Sequence, residues 1–316
     1  MKGHELMRHL AGRIFWQNSG TPIRRIAVLA GCALLSIFCN KLGSGNNSPT
    51  SPSGPPAPGS AVVYTAIGAS DANGVGSSVP CFPFTDCPTG TGYVPDTVRR
   101  LQSQGFTVTL RNLGVATDVI GPDFQSLGQQ YGHFVEGNFI DQEMPFVLTN
   151  STVVTIFAGA NDTDVITAAL GSGAGGSNPL GYVDTQVRAF GADYATLLTG
   201  IRSHAPSARI VALNVPNLAG LPYLAGASLD KRQAAQHAAV GMSTTVINPL
   251  AGQGVVVVDL MCDARSYLPS NYSSDGLHPN DSGYAFIASE VVRAVTLASY
   301  PSPAASCGPM TIVPGS

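Results

Sequence analysis

The chain is poor in charge and poorest in lysine. Of its 316 residues, 11% are Asp, Glu, Lys or Arg, and lysine occurs three times, at Lys2, Lys41 and Lys231. Beyond residue 39, 11 Lys and Arg stand against 18 Asp and Glu, a net charge of −7. Such a body has no electrostatic footprint for a polyanion, which argues against nucleic acid as a partner. The single tryptophan, Trp16, falls in the leader, so the body offers no tryptophan platform for stacking on sugar rings. Cys-x-x-Cys pairs and clustered histidines are missing, so a zinc centre is not indicated. The glycine-rich stretch Gly171 to Asn178 is not followed by Gly-Lys-Ser/Thr and is not a phosphate cradle. No serine sits in Gly-x-Ser-x-Gly, which removes the nucleophile elbow of the α/β-hydrolases.

Long apolar runs are also missing. The longest near the N-terminus, Ile26 to Phe38, follows Arg24-Arg25 and is too short to span a bilayer comfortably. A positive flank and a short apolar core are the pattern of an export signal, so residues 1–40 are expected to be a leader. Cys32, in Leu29-Ala30-Gly31-Cys32, and Cys39 are two candidates for a lipid-bearing cysteine. Such a lipid would tether the protein to a membrane; the alternative is a cleaved, freely secreted form. Residues 41–60 form the expected disordered linker; from 43 on they are almost all Gly, Ser, Asn and Pro, with little to bury.

Four cysteines remain in the body: Cys81, Cys87, Cys262 and Cys307. Export makes disulfides plausible, and four cysteines allow three connectivities. Cys81–Cys87 is the natural local loop, and Cys262–Cys307 would then pin the C-terminal tail.

Apolar residues make up 44% of the chain, enough for a well-buried core. Five β-branched runs stand out, at 61–67, 106–112, 152–158, 209–215 and 255–260. Several are almost continuously apolar, as in Val255-Val256-Val257-Val258, which indicates strands buried on both faces of a parallel sheet. Helical stretches are expected at 95–104, 181–203 and 230–250, with a last helix capped by Asn280 or Asp281. Two long loops, 71–94 and 114–150, separate these elements, the second with room for short helices. Alternating strands and helices imply one doubly wound α/β domain, residues 61–316, in which ligands sit beyond the carboxyl ends of the strands.

Three of the chemically interesting residues fall at such ends: Ser70, Gly114 and Asn161. A serine hydroxyl is a poor nucleophile without an adjacent base. His278 is the candidate base with a supporting context, because Pro279 and a helix cap would fix the loop that presents it. Asp275, three residues earlier, can orient the imidazole. Asn161 offers a side-chain amide, and Gly114 and Ser70 offer backbone N–H groups, where charge develops on a carbonyl oxygen.

These blocks resemble the SGNH hydrolases, the GDSL lipase/esterase family. Gly68-Ala69-Ser70 with Gly74, Asn112-Leu113-Gly114, Gly159-Ala160-Asn161-Asp162 and Asp275-Gly276-Leu277-His278-Pro279 occur in the family's order and span the body. Asn214-Val215-Pro216 and Leu221-Pro222 resemble the family's fourth-strand region. The resemblance implies a three-layer α/β/α, flavodoxin-like sandwich around a five-stranded parallel sheet. It implies Ser70 as nucleophile, His278 as general base and acid, Asp275 as orienting carboxylate, and Ser70, Gly114 and Asn161 as the oxyanion hole. Asp162 would be a structural hydrogen-bonding partner. No metal or organic cofactor is called for. One departure is that Ala69 stands where the family has aspartate just before the nucleophile; activity is expected to survive it.

The function expected is an exported, monomeric esterase or lipase acting on a small-molecule or lipid ester. A carbohydrate O-deacetylase or an acyltransferase on the same fold is the enzymatic alternative, and a non-catalytic surface lipoprotein the remaining one. Apolar loop residues (Phe82, Phe84, Val119, Ile120, Phe124, Leu218, Leu221, Leu224) favour acyl chains over sugars.

Overall fold

The computed structural model describes residues 54–315. The leader, Cys32, Cys39 and the linker up to residue 53 lie outside the described residues. Residues 54–60 carry no helix or strand, and a turn closed by Ser60 N–H on Ala57 O leads into the first strand.

Five strands form one all-parallel sheet: β1 (Ala61–Gly68), β2 (Thr107–Asn112), β3 (Val153–Phe157), β4 (Arg209–Leu213) and β5 (Val256–Val258), in the order β2-β1-β3-β4-β5. The five apolar runs are these strands. Every residue of β3 and β4 is buried, as the continuous Val/Ile pattern requires of a sheet covered on both faces. One layer holds α2 (Tyr93–Ser103) and α8 (Asp281–Thr296), packed through Tyr93, Leu101, Tyr284 and Val291. The other holds α3 (Pro122–Gln130), α5 (Ala160–Gly171), α6 (Pro179–His204) and α7 (Leu229–Gly241), packed through Phe124, Val165, Phe190, Tyr194 and Ala238. Two single-turn helices, α1 (Ser70–Asn73) and α4 (Phe139–Gln142), complete the set.

Caps explain several boundaries. Asn178 and Ser228 accept the N–H groups of Gly181 and Lys231 at the starts of α6 and α7. Asn280, not Asp281, caps α8, accepting from the N–H groups of Ser282 and Gly283. Asp281 is engaged elsewhere, taking the N–H and hydroxyl of Ser78, both at 2.7 Å.

Two elements differ from expectation. The helix expected over 230–250 is α-helical only to Gly241; Met242–Ile247 widens to a π-helix and Asn248–Gln253 tightens to 3₁₀. The cause is visible at Ser243, whose hydroxyl reaches out of the helix to the N–H and C=O of Val215 at the end of β4. The second is α5, which begins one residue before Asn161. It is not among the helices expected, its opening Asn161-Asp162-Thr163-Asp164 is polar, and Gly159 supplies no side-chain cap. Burial of Val165, Ile166 and Ala169 holds it as a helix.

Both disulfides are formed, Cys81–Cys87 and Cys262–Cys307. The second anchors the tail, whose Pro309 and Val313 carbonyls accept from Asn217 and Gln236. Among the described residues no helix is long and apolar enough to cross a membrane.

Candidate active site

The carboxyl end of β1 runs directly into Ser70, the first residue of α1. The turn is braced from below: the Gly68 N–H donates to Glu143 Oε2 at 3.0 Å, and Val115 N–H donates to Gly68 O at 3.2 Å. Glu143 is fully buried. Burial drives its carboxyl well above the ordinary range, outweighing the Gly68 hydrogen bond that favours the charged form.

At the opposite end of the chain, residues 272–280 fold back on themselves. Ser273 N–H donates to His278 O and Asn280 N–H to Asn271 O, and Tyr272 pairs with Pro279. Inside this loop Asp275 Oδ1 accepts from the Leu277 N–H at 2.8 Å, the His278 N–H at 2.9 Å and the Ser273 hydroxyl at 2.9 Å. Its other oxygen lies 2.7 Å from His278 Nδ1. Partial burial acts to raise the Asp275 pKa, but the bonds from the His278 ring and from these donors outweigh it and hold the carboxylate at about 2. Gly276 turns the loop with φ +72°; a Cβ there would come 2.6 Å from Tyr223 N, whose N–H donates to Gly276 O.

The two regions meet at one bond. His278 Nε2 lies 2.9 Å from Ser70 Oγ, across 208 residues of sequence. The series Ser70 hydroxyl, His278 imidazole, Asp275 carboxylate is therefore continuous, with the imidazole flanked on both nitrogens. Ser70 is 8% exposed, whereas the Asp275 side chain is 47% exposed.

Asn161, in the first turn of α5, lines the same cleft as Ser70 and His278. One of its amide hydrogens is spent on Asp118 O at 2.8 Å, which orients the group. The backbone N–H of Ser70 has no hydrogen-bond partner among the described residues. Gly114 packs against the serine turn. A Cβ there would overlap the Ala72 methyl, so only glycine lets the β2 loop pack against α1. Its N–H donates to Asn112 Oδ1 at 3.2 Å, and Asn112 in turn donates to Ala72 O at 2.8 Å. Asp162 is buried and accepts the Ile120 N–H at 2.9 Å, a structural link between α5 and the long β2–β3 connection.

Several groups at the site have no signal in the sequence. Asp71, next to Ser70, faces the cleft. Burial raises its pKa against the pull of His278 and a long 3.5 Å contact with the Tyr284 hydroxyl, and the neighbouring Asp275 charge adds to the rise. Asp118 is buried, and burial pushes its carboxyl to about 7 against the pull of the Gly137 backbone N–H, with the Glu136 charge adding to the rise. Asp164 accepts from the Tyr223 hydroxyl. Asp118 and Glu143 come from the 114–150 connection, where no periodicity marks a buried position. Of the apolar loop residues, only Leu218 and Leu221 line the cleft. Val119, Ile120, Phe124 and Leu224 are core residues, and Phe82 and Phe84 are exposed beside the Cys81–Cys87 loop.

The parallel sheet, the switch in strand order between β1 and β3, and a hydroxyl–imidazole–carboxylate series at that switch define a hydrolase of the serine type. The family comparison agrees. The GDSL-like Lipase/Acylhydrolase family matches residues 66–286, more than half of the chain, and the chain belongs to that family. It is a carboxylic ester hydrolase. Two solved structures share its fold: the lipase Lip_vut3 from a goat rumen metagenome (16% identity, 75% of this chain and 100% of that one, TM-score 0.51) and an extracellular lipase from Streptomyces rimosus (18% identity, 74% and 99%, TM-score 0.52). No protein of curated function matches the chain.

Proposed function

We propose that the protein is an exported esterase that cleaves carboxylic esters through an acyl-enzyme on Ser70. One observation carries the assignment: the 2.9 Å approach of Ser70 Oγ to His278 Nε2, at the end of an Asp275–His278 pair 2.7 Å apart.

The steps follow from that series. The imidazole takes the Ser70 proton as Oγ attacks the ester carbonyl carbon, and the Asp275 carboxylate holds Nδ1–H and balances the imidazolium charge. The carbonyl oxygen gains negative charge where the unpartnered Ser70 N–H and the second Asn161 amide hydrogen can meet it. The Gly114 N–H is the third proposed donor; it is given to Asn112 Oδ1 at 3.2 Å in the structure and would turn or fork toward the substrate oxygen. The tetrahedral adduct collapses, the C–O bond to the alcohol breaks, and His278 returns the proton to the departing oxygen. Water, deprotonated by His278, then attacks the acyl carbon, and the carboxylic acid leaves with Ser70 restored. Asn112, Asp118 and Glu143 touch no substrate atom in this scheme; they fix the donors and the turn.

Export is supported by the basic-then-apolar leader and by two disulfides, which persist in oxidising compartments. The N-terminal lipid tether on Cys32 or Cys39 and the linker before residue 61 belong to the same proposal. The test is hydrolysis of p-nitrophenyl acetate by Ser70→Ala and His278→Ala. Turnover is expected to fall by about 10⁴ to 10⁶ in each, with an unaltered circular dichroism spectrum. A folded Ser70→Ala protein with wild-type turnover would overturn the assignment.

A further inference from the structure

The hydroxyl–imidazole pair opens onto a cleft that runs beneath the 265–279 loop toward the start of α8. Beyond Ser70, Asn161 and His278 its walls are mainly apolar: Leu218 and Leu221 from the loop after β4, Leu260 after β5, and Phe286 and Ile287 on α8. Leu218, Leu221, Leu260 and Ile287 are each no more than 4% exposed, so the walls are packed side chains and not loose surface groups. The cationic group in the wall is already occupied. The Arg265 guanidinium is bonded to Asp263 at 2.6 Å and Glu290 at 2.9 Å and lies over the Phe286 ring at 4.3 Å. Asn271 donates to Arg265 O, and the Ser266 hydroxyl is sealed from solvent.

The cleft is small. Its free volume is about 40 Å³, bounded by packed apolar side chains. With apolar walls and a guanidinium already paired to Asp263 and Glu290, the cleft offers no partner to an acyl group that itself carries charge.

Resting on the serine-esterase reading above, we propose that this cleft receives the acyl group, and that the substrates are esters of short, uncharged acids, from acetyl to about butyryl. The reacting carbonyl carbon sits at the Ser70 mouth, and a short aliphatic tail occupies the cleft between Leu218, Leu221, Leu260 and Ile287. Leu260 and Ile287 set the limit, because a longer chain must displace packed core side chains or break Arg265 from its two carboxylates.

The experiment is a chain-length series of p-nitrophenyl esters from acetate to palmitate, run on the wild type, Ser70→Ala, Ile287→Ala and the milder Ile287→Val. One methylene too many in an apolar pocket costs roughly 10- to 200-fold in kcat/KM. The wild type is therefore expected to peak between acetate and butyrate and to fall at least tenfold by octanoate. In Ile287→Ala the hexanoate-to-acetate ratio of kcat/KM should rise about tenfold; Ile287→Val shifts it in the same direction by less and covers the case in which the alanine variant does not fold. Octanoate or palmitate turned over as well as butyrate would overturn the short-acyl assignment while leaving the serine esterase standing. A folded Ile287 variant with an unchanged ratio would remove the acyl group from this cleft. If wild type hydrolyses no ester of any length, or Ser70→Ala hydrolyses them all, the esterase reading itself fails, and this proposal with it.

Discussion

The two sides of the site are built in opposite ways. On the serine side, Ser70, Gly114 and Asn161 stand just past the ends of β1, β2 and β3 and are buried or half-buried. Their support comes from far away in sequence: Glu143 holds Gly68, Asp118 holds Asn161, and Asp162 holds Ile120. On the histidine side, Asp275 and His278 lie in one loop, and the contacts that shape it come from residues 271–280, with Tyr223 as the outside support. One side is positioned by the sheet and by buried carboxyls; the other by a short polar loop open to water. The Ser70 hydroxyl, the proposed nucleophile, is tied to the core, and the His278 imidazole, the proposed base, is tied to a solvated carboxylate.

That contrast can be broken by mutation. On the serine side, replacing Asn161 with Ala removes both the amide proposed to stabilise developing charge and the bond to Asp118 O. The expected loss in kcat is about 10²–10³-fold, measured with p-nitrophenyl acetate. On the histidine side, Asp275→Asn should cost less, roughly 10- to 100-fold against the ~10⁴ of a buried triad aspartate, because a half-exposed site lets water replace part of the charge. A larger loss for Asp275→Asn than for Asn161→Ala would invert the comparison.

The tail gives a third handle, on stability rather than turnover. The Cys262–Cys307 bridge closes a separation of 45 residues and Cys81–Cys87 one of 6. Chain entropy assigns them about 4 and about 2 kcal/mol. The Cys262→Ser/Cys307→Ser double variant should therefore melt at the lower temperature of the two disulfide knockouts. Equal melting temperatures would mean that the tail is held by Asn217 and Gln236 alone.

The two sides should also differ in their response to pH. Asp275 is held at about 2, below its ordinary value of 3.8. Its contribution to stability is present above 3.8 and is lost as the pH falls toward 2. Asp118 and Asp162 are pushed from 3.8 to about 7 by burial. Between those values the folded protein binds protons that the unfolded chain does not. Their contribution is complete below about 4 and is lost as pH rises to about 7, by up to about 1.4 kcal/mol per pH unit for each group. Melting temperature across pH 4–7 should fall less steeply in Asp118→Asn than in wild type; parallel profiles would show that Asp118 ionises freely in its buried position. Below pH 4 the Asp275→Asn variant should lose less stability than wild type.

How legible each part was follows from the same contrast. The Asp275–His278 block reads directly, because its geometry is made by neighbours in sequence. The strands read from continuous apolar runs, and the start of α8 from its two candidate caps, Asn280 and Asp281, between which the structure chose Asn280. Ser70 and Asn161 were locatable only as strand ends in a family order. Glu143, Asp118 and Asp71 were not legible at all, since a lone acidic residue in an aperiodic loop gives no sign that it will be buried. The α5 helix escaped for the reverse reason: its polar opening residues have loop propensities, and packing of Val165, Ile166 and Ala169 overrode them.

The sequence by itself determined the sheet, its parallel connectivity and the pairing of Asp275 with His278, because hydrophobic period and short-range hydrogen bonding act between residues close in the chain. Only the tertiary structure decided that a hydroxyl and an imidazole 208 residues apart would meet, that the Gly114 N–H would be drawn toward Asn112, and that the cleft would be short. Those outcomes depend on which side chains fill the space between distant segments, and a space is a property of packing, absent from any single stretch of chain.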